Sequence, residues 1–348
     1  MPQSVTNLYE RITDAENLFA AAQIAARGKR WSRQAVVFRG ALEEEIFAIQ
    51  TALQTQTYRV GAYRTFMVYE PKAREISALP FRDRVIQHAL VRVIEPLVEQ
   101  QFIAHSYACR AGKGTHAGAD RIEYLMRRAR RNWPRVYCLK MDVSRFFPSI
   151  DHGDLQRILR RRIRCQRTLW LLDTIIESTP NPGLPIGNLT SQLCANIYLN
   201  VLDHFITEQL GSRDYVRYMD DMILLHQDPH VLRAWLAGIE QFLDERLHLA
   251  LNRKTRIFPI TAGVDWLGYR IWTTHRLLRR RSVIGMRRAV KSLARRYVAG
   301  TVSAQLVRSV VMSWMGHAQH ASAYHATLAL RGVWRETVQR EKAVMLAP

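Results

Sequence analysis

The pattern of hydrophobic and polar positions divides the chain into helical ends and a mixed central part. Apolar residues recur every three or four positions, which predicts helices, in residues 1–60, 82–100, 121–131, 153–178, 189–210, 231–248 and 282–345. Alternating or continuous apolar runs predict strands in residues 66–69, 76–78, 136–141, 216–225 (a strand, a turn and a strand) and 264–272. Because strands and helices are interleaved between residues 136 and 272, we expect an α+β fold there, followed by a helical appendix.

The composition adds a strong positive charge to this picture. The 348 residues include 51 Lys or Arg against 30 Asp or Glu, which gives a net charge of +21. Such an imbalance favours a polyanionic partner, and the excess of arginine over lysine suits forked contacts with phosphate. Residues 276–300 carry nine Lys or Arg and no acid, which predicts a helix that faces phosphates.

Membrane binding is the competing explanation for the charge. It predicts a basic amphipathic helix at one terminus, and neither end of the sequence has that pattern. No apolar run approaches the ~20 residues that span a bilayer, and the polar first ten residues do not resemble a signal peptide. We therefore expect a soluble, cytoplasmic protein without a membrane partner.

The cysteines and histidines give weaker signals. The four cysteines are tens of residues apart and form no CxxC pair: Cys109, Cys138, Cys165 and Cys194. Reduced, mostly buried thiols are therefore expected rather than a zinc site or disulfides. His317 and His320, with His325 beyond them, cluster near Trp314. Packing or a polar surface is the main interpretation of this cluster, and contact with RNA or a metal is the alternative.

Three aspartates carry the chemical signal. Asp220 and Asp221 follow Tyr218-Met219 at a turn between two apolar runs, and an acidic turn alone is ordinary. Asp142, however, ends the buried strand 136–141, where an acid is costly unless it is paired or bound to a metal. If these strands are neighbours, three carboxylates converge. Hard oxygen ligands select Mg²⁺ or Mn²⁺, and two such ions ~4 Å apart would support nucleotidyl transfer.

These acidic motifs and the segments around them resemble those of the reverse transcriptases. Asp142 with Phe146-Phe147, the loop 183–192 and the Tyr218–Asp221 turn are similar in order and spacing to the three palm motifs of that family. Further similarities lie at residues 70–90, 106–116, 252–256 and 266–269, so that the resemblance covers roughly residues 30–320. It implies a right-hand polymerase fold with fingers, a ferredoxin-like palm of antiparallel sheet and helices, and a helical thumb. The implied division is 1–135 for the N-terminal helices and fingers, 136–272 for the palm with a fingers insertion at about 153–182, and 273–348 for the thumb.

The resemblance also implies roles for single residues. Asp142 and Asp220 would hold two Mg²⁺ ions (or Mn²⁺) together with the carbonyl of Val143, and Asp221 would help to hold the metal site. The residues at nucleotide-binding positions are Lys72, Arg74, Phe147, Ile186, Gly187, Gln192 and Lys254. The ring of Phe147 would exclude a ribose 2′-hydroxyl and so select deoxyribonucleotides. Lys254 would protonate the leaving pyrophosphate, and an ordinary surface lysine is the alternative; for Arg74 the alternative is a solvated hairpin tip.

Nucleic-acid contacts are expected in two places. Arg110 and Lys113, in the resemblance to a fingers motif, would hold template or triphosphate. In the thumb, one basic segment would grip the duplex of template RNA and cDNA by its phosphates: Arg279, Arg280, Arg287, Arg288, Lys291 and Arg295.

The loop that contains Ile186 narrows the resemblance. Most reverse transcriptases carry Gln at that position and Ser-Pro where this chain has Ser191-Gln192. The form found here resembles the reverse transcriptases of diversity-generating retroelements, which are bacterial or phage-encoded. That subfamily implies low fidelity opposite template adenine, a template-repeat RNA and a small basic accessory protein, often pentameric. A related enzyme of antiphage defence or of a group II intron is one alternative, and a non-enzymatic RNA-binding scaffold is another.

Overall fold

The computed structural model describes residues 7–69 and 73–346. Its helices are α1 (Leu8–Thr13), α2 (Ala15–Ala25), α3 (Arg33–Gly40), α4 (Leu42–Gln54), α5 (Phe81–Glu99), α6 (Thr115–Asn132), α7 (Phe146–Ser149), α8 (His152–Arg160), α9 (Gln166–Ile176), α10 (Leu189–His204), α11 (Pro229–Leu247), α12 (Arg280–Val298), α13 (Ala304–Ala318) and α14 (Tyr324–Leu346). Its strands are β1 (Arg64–Val68), β2 (Arg74–Ala78), β3 (Tyr137–Asp142), β4 (Tyr215–Tyr218), β5 (Asp221–His226), β6 (Arg256–Pro259), β7 (Val264–Trp266), β8 (Tyr269–Ile271) and β9 (Arg276–Leu278). These elements confirm the predicted α+β class.

The strands form three sheets. β1 and β2 make an antiparallel hairpin, in which Arg64 pairs with Ala78 and Val68 with Arg74. The central sheet has four strands in the order β4-β5-β3-β6, so β3, which ends at Asp142, is the neighbour of β5, which begins at Asp221. The third sheet is antiparallel with the order β7-β8-β9. The central order brings the predicted acidic positions to adjacent strands.

The residues fall into two compact units. The first unit comprises the described parts of Met1–Gly112, Lys140–Met222 and Arg233–Thr255; the second comprises the described parts of Lys113–Leu139, Ile223–Leu232 and Arg256–Pro348. In the first unit, α5 packs against α2, α1 and α10, and it buries Val85, Ile86 and Leu90 completely. The predicted division into fingers, palm and thumb stays a prediction.

Helix α10 is the central element of the first unit. Twelve of its residues are buried, among them Asn196, Asn200 and Asp203, so the helix is enclosed on nearly all sides. A π-helical turn, Phe205–Gln209, continues it, in agreement with the predicted helix 189–210. Buried polar side chains in such a helix need partners, and both Asn196 and Asp203 accept hydrogen bonds from Arg217 in β4, the strand before the Tyr218–Asp221 turn.

Two predicted elements differ from those observed. The expected helix 153–178 is two helices, because the amide of Arg162 donates to the carbonyl of Leu159, a short i→i−3 bond that ends α8, and Ile163 turns into the core. The expected strand 264–272 is a hairpin: Leu267 and Gly268 have positive φ values of 49° and 88°, as a two-residue primed turn requires. β6 was not predicted.

The second unit contains the helical appendix. α12 packs along α14, and a cluster of Met286, Val290, Leu330 and Val333 fills the space between them. Residues 282–345 were predicted to be helical, and α12, α13 and α14 confirm this. No helix in the described ranges is both long and apolar enough to cross a membrane.

The four cysteines occupy different environments. Cys138 and Cys194 are buried, Cys165 is partly buried, and Cys109 is exposed. The expectation of mostly buried thiols therefore holds for only half of them. Burial raises the pKa of the Cys194 thiol to about 12, so this thiol stays protonated and unreactive at neutral pH.

The histidines predicted to pack do so around a tyrosine of the second unit. Tyr269 in β8 lies between His116 and His317, with its hydroxyl 2.9 and 3.1 Å from their Nδ1 atoms. The rings of His116 and His320 stack with their centroids 3.7 Å apart. The packing interpretation of His317 and His320 is therefore confirmed, and this cluster also includes His116 from α6.

This histidine cluster predicts a pH-dependent stability. Burial, then His320 and Arg276, lower the pKa of His116, with Asp120 acting in the opposite direction; burial, His116 and His320 lower the pKa of His317. Because the pKa of each histidine is lower in the folded protein, the unfolded chain binds protons more readily. The contribution of these histidines to stability is therefore complete above their unfolded pKa, near 6.5, and is lost as the pH falls below it. We expect the thermal unfolding midpoint to fall between pH 7.5 and 5, and His116→Asn to reduce that fall. An unchanged pH dependence in the variant would contradict this role for the cluster.

Candidate active site

A tight turn between β4 and β5 presents two adjacent acids. Met219 has a left-handed backbone with φ of 54°, which non-glycine residues adopt at some cost, and Asp220 follows it. Val216 before the turn and the segment from Met222 to Leu225 after it are buried. The apolar strands thus anchor the hairpin in the core and leave Asp220 and Asp221 only partly buried at its tip.

Asp142 lies beside this turn. The amide of Val143 donates to the carbonyl of Asp220 over 3.2 Å. On the other side, the amide of Asn252 donates to the carbonyl of Asp142 over 2.7 Å, and the Asn252 side-chain amide donates to the Asp142 carboxylate over 3.4 Å. Asp142 is therefore held between the acidic turn, as expected if the two strands are neighbours, and the segment 250–252, whose position was not predicted.

The carboxyl group of Asp220 interacts electrostatically with those of Asp142 and Asp221. Burial and the neighbouring charge of Asp142, with a smaller effect of Asp221, raise the pKa of Asp220 to about 6, while Arg74 acts in the opposite direction. A carboxyl group whose pKa is raised by burial and by a neighbouring carboxylate is one where a bound cation would be favourable. The effect of Arg74 places this side chain, which begins β2, within electrostatic reach of the acids.

Asp221 is arranged differently from the other two acids. Its carboxylate forms an ion pair with the ammonium group of Lys140 over 3.6 Å. Within residues 7–69 and 73–346, no set of three or more His, Cys, Asp or Glu side chains is close enough to hold a metal ion. The oxygen donors of Asp142 and Asp220 fit a hard cation such as Mg²⁺, and metal binding by the three aspartates and the Val143 carbonyl stays a prediction.

The loop 183–192 lies against β2 and the segment after Asp142. The amide of Ser77 donates to the carbonyl of Ile186 over 2.9 Å, and the amide of Leu184 donates to the carbonyl of Phe147 over 2.8 Å. Gly187 has a φ of 116°, and a Cβ there would lie 3.0 Å from the Cγ2 of Ile76. Glycine is thus required for this close approach, which joins three predicted nucleotide-binding motifs.

The two phenylalanines after Asp142 have different environments. Phe146 is 2% exposed, whereas Phe147 is partly exposed, and their rings meet edge to face with centroids 5.5 Å apart. Phe146 is therefore the core residue of the pair. Phe147 is the ring that a substrate can reach.

The other predicted nucleotide-binding residues lie around this loop or outside it. Lys72 lies outside the described residues. Arg74 is exposed and Gln192, in the first turns of α10, is half-buried. Lys254 is exposed, and its backbone amide donates to the side chain of Asn252, which also contacts Asp142. Their roles toward a nucleotide stay predictions.

Arg110 has a structural role that the sequence did not predict. Its side chain is 5% exposed and forms an ion pair of 2.6 Å with Glu99. The same guanidinium donates to the carbonyls of Ile103 and Ser106 over 2.7 and 2.8 Å. These bonds use its donors inside the protein, so Arg110 is not included in the proposed nucleic-acid surface; Lys113 is partly buried.

Helix α12 of the second unit presents the predicted basic face. Met286, Val290 and Leu293 are buried on one side, and the exposed cations on the other side are Arg280, Arg281, Arg287, Arg288, Lys291, Arg295 and Arg296. Two of the predicted contacts also have acidic partners, because Arg279 pairs with Asp265 and Arg295 pairs with Glu341. The exposed cations of this face together form a track suited to phosphates.

This track predicts a strong effect of salt. Replacement of both Arg287 and Lys291 by Gln is expected to reduce the slope of log K against log salt by about two, since each lost phosphate contact removes about 0.9. Binding of a primer–template duplex, followed by fluorescence anisotropy at several salt concentrations, gives this slope. Ser292→Ala on the same helix should leave it unchanged. Equal slopes for wild type and the double variant would mean that α12 does not contact the duplex.

Sequence reasoning missed three polar groups of this site. Lys140 precedes Asp142 by two residues within β3, and Asn252 reaches Asp142 from a distant segment. Arg217 lies within the apolar strand before the turn and is completely buried. A charged residue inside an apolar run was the available signal for Lys140 and Arg217. Asn252 belongs to the segment 252–256 that resembles a family motif, but nothing in that segment indicates its contact with Asp142.

An acidic turn on an antiparallel sheet, a second acid on the adjacent strand and a glycine loop packed beside them are the palm features of a nucleic-acid polymerase. The sequence pattern of the reverse transcriptase (RNA-dependent DNA polymerase) family matches residues 70–271. The chain therefore belongs to the reverse transcriptase family and is an RNA-directed DNA polymerase.

Individual relatives support this assignment. The chain is 26% identical over 344 residues to the protein YkfC of Escherichia coli, covering 83% of this chain and 87% of that protein. It is 24% identical over 218 residues to the group II intron-encoded protein LtrA of Lactococcus lactis, covering 58% of this chain and 35% of LtrA. The apo telomerase of Candida tropicalis has a similar structure, with a TM-score of 0.52 and 11% identity over 82% of this chain. The chain spans 59% of that telomerase, a likeness that shows the right-hand polymerase fold alone.

Proposed function

We propose that this reverse transcriptase makes error-prone cDNA from a template-repeat RNA, in the manner of diversity-generating retroelements. The observation that carries the proposal is Ile186. Its carbonyl is bonded to β2, and its side chain is partly exposed. An apolar side chain at a nucleotide-contacting position selects by shape and lacks hydrogen-bond discrimination, which usually distinguishes substrates more strongly.

The chemistry proposed is phosphoryl transfer from a deoxynucleoside triphosphate to a primer 3′-oxygen. Two Mg²⁺ ions, or Mn²⁺, would supply charge stabilisation to the attacking oxygen and to the pyrophosphate when held by Asp142, Asp220, Asp221 and the Val143 carbonyl. Arg74 would hold the triphosphate by a forked contact, because it lies within electrostatic reach of Asp220. In this proposal Lys254 donates a proton to the leaving pyrophosphate.

The proposed partners follow from the charge and the subfamily. The basic face of α12 is suited to the duplex of template RNA and cDNA, whose phosphates it would contact without reading the sequence. The subfamily resemblance adds a small basic accessory protein, often pentameric. With a net charge of +21 on this chain, the assembly of two basic proteins would require the RNA to offset their repulsion.

The experiment that tests low fidelity is Ile186→Gln. We expect errors opposite template adenine to be more frequent than at other bases in the wild type, and to fall by roughly tenfold in the variant, because an amide restores hydrogen bonding to the nucleotide. Sequencing of cDNA made on one defined RNA template measures both values. Ile186→Val is the matched control and should keep the adenine errors. Uniform errors across the four template bases in the wild type would contradict the proposal.

A second candidate is a related reverse transcriptase of a group II intron or of antiphage defence. The similarity to LtrA over 218 residues favours it. The two candidates differ in their RNA. Sequencing of the RNA that co-purifies with the protein would give a template-repeat transcript under the first proposal and an intron or another structured RNA under the second.

A further inference from the structure

A completely buried ion pair lies in the first unit next to the catalytic turn. Arg217 in β4 and Asp203 in α10 are both 0% exposed. The Nε of Arg217 donates to both oxygens of Asp203 over 2.7 and 3.0 Å, and Nη2 donates to Oδ2 over 2.6 Å. Such pairs seldom add net stability, because apolar residues of similar volume often serve the fold equally well. The fold alone therefore does not account for this pair.

The rest of the guanidinium is directed at the turn. Nη1 of Arg217 donates to the carbonyl of Met219 over 3.1 Å. Met219 is the residue with left-handed φ that directly precedes Asp220. Its carbonyl orientation and the direction of the next residue are set by the same peptide unit, so the bond from Arg217 fixes how Asp220 leaves the turn.

Arg217 is itself held on every side. Nη1 also donates to the Asn196 side-chain oxygen over 3.1 Å, and the Asn196 amide donates to the carbonyl of Ala108. The backbone of Arg217 is bonded to His105 and Tyr107, each over 2.9 Å. A guanidinium that donates hydrogen bonds from all three of its nitrogens, and whose backbone is also paired, cannot shift without breaking several buried bonds. It is a rigid support for the turn.

The pair is also oriented. Its anion, Asp203, lies on the side of α10, and its cation reaches the carbonyl next to Asp220. The pair is therefore a fixed dipole with its positive end towards the acidic turn. Asp220 directly follows the Met219 carbonyl that this positive end contacts, and preoriented dipoles act strongly in a buried setting.

We propose that Arg217, anchored by Asp203, is a positioning residue for nucleotidyl transfer: it holds the Met219 carbonyl so that Asp220 faces Asp142 in the geometry that binds the reacting cations. The proposal rests on the cation chemistry described under the proposed function. It predicts that loss of the pair changes turnover and cation binding more than substrate binding.

The decisive variant is the double replacement Arg217→Met with Asp203→Leu, which leaves no unpaired buried charge. We expect kcat to fall by about 100-fold, as displacement of a reacting group by about 1 Å does, with KM for dNTP within threefold of wild type. Mn²⁺ binding to the free protein, followed by electron paramagnetic resonance, should weaken by about tenfold or more. Arg217→Lys keeps the charge and loses the fork, so we expect intermediate values.

Tyr198→Phe is the matched control for the loss of a buried polar group. Tyr198 is on α10, is 0% exposed and donates to the carbonyl of Leu247, away from the turn. It should lower the unfolding midpoint and leave kcat and Mn²⁺ binding within twofold of wild type.

Three outcomes separate the possibilities. A folded double variant with kcat and Mn²⁺ affinity within threefold of wild type overturns the proposal. If the double variant does not fold, Arg217→Lys decides: a loss of tenfold or more in kcat at unchanged KM supports the positioning role, and unchanged kcat overturns it. If wild-type protein binds no Mn²⁺, the cation chemistry of the proposed function fails, and the split between kcat and KM alone supports or overturns the role of Arg217.

Discussion

Replacement of Asp220 by Asn should reduce DNA synthesis by roughly 10³-fold or more while RNA binding stays within twofold of wild type. The variant keeps the size of the side chain and removes the charge that, with Asp142, would bind the reacting cations. Lost stabilisation of several kcal/mol in the transition state corresponds to a change of this size. RNA binding should persist because the proposed phosphate track lies on α12, which belongs to the other compact unit.

The measurement is primer extension on an RNA template, with RNA affinity determined on the same preparations. Asp244→Asn, an exposed acid on α11, is the matched control and should retain full activity. The stability of metal-free Asp220→Asn protein gives an independent test of whether the charge of Asp220 is unfavourable in the fold. Burial and Asp142 raise the pKa of Asp220 to about 6, so its charge destabilises the native state above that pH.

Asp220→Asn is expected to stabilise the metal-free protein, whereas most substitutions destabilise a folded protein. Because the native state favours the protonated form, the contribution of Asp220 to stability is present at low pH and is lost as the pH rises through about 6. Asp220→Asn should therefore raise the unfolding midpoint of metal-free protein at pH 8, and the gain should shrink at pH 5. If synthesis persists in a folded variant, Asp220 is not catalytic, and an RNA-binding scaffold becomes the better interpretation.

The acidic turn and Asp142 could be identified because their signals are local. An acid at the end of a buried strand, and two acids between apolar runs, are visible in the sequence. The pairing of β3 with β5 was only a condition at that stage, and the fold supplies it. The β7–β8 hairpin was predicted as one strand, although the spacing of its apolar residues carried a signal for the turn. Its buried residues are Val264 and Trp266 before the turn, and Tyr269 and Ile271 after it, so the alternation shifts by one position at Leu267-Gly268.

Arg110 and Arg217 show where sequence reasoning stops. Arg110 was expected to hold template or triphosphate, and no role was assigned to Arg217 within its apolar run. Their partners, Glu99 and Asp203, are 11 and 14 residues away, and only the tertiary fold brings each pair together. Whether an arginine faces solvent or a buried carboxylate depends on such distant contacts, which the spacing of apolar residues does not report.

Phe147 should determine the choice between deoxyribonucleotides and ribonucleotides. Phe147→Ala is expected to reduce the preference for dNTP over rNTP by roughly 10- to 100-fold, because the steric clash that a ring imposes on a 2′-hydroxyl is worth about 1–3 kcal/mol. Phe147 is partly exposed, and its carbonyl accepts a hydrogen bond from the amide of Leu184 in the loop 183–192.

Single-nucleotide incorporation with dNTP and rNTP of the same base, compared as kcat/KM, measures this preference. Phe146→Leu is the matched control, since Phe146 is 2% exposed and packs edge to face on Phe147. It should lower stability and leave the ratio of the two kcat/KM values unchanged. Equal ratios in wild type and Phe147→Ala would mean that another group excludes the ribose, and the packing role of Phe147 beside Phe146 would then be its only one.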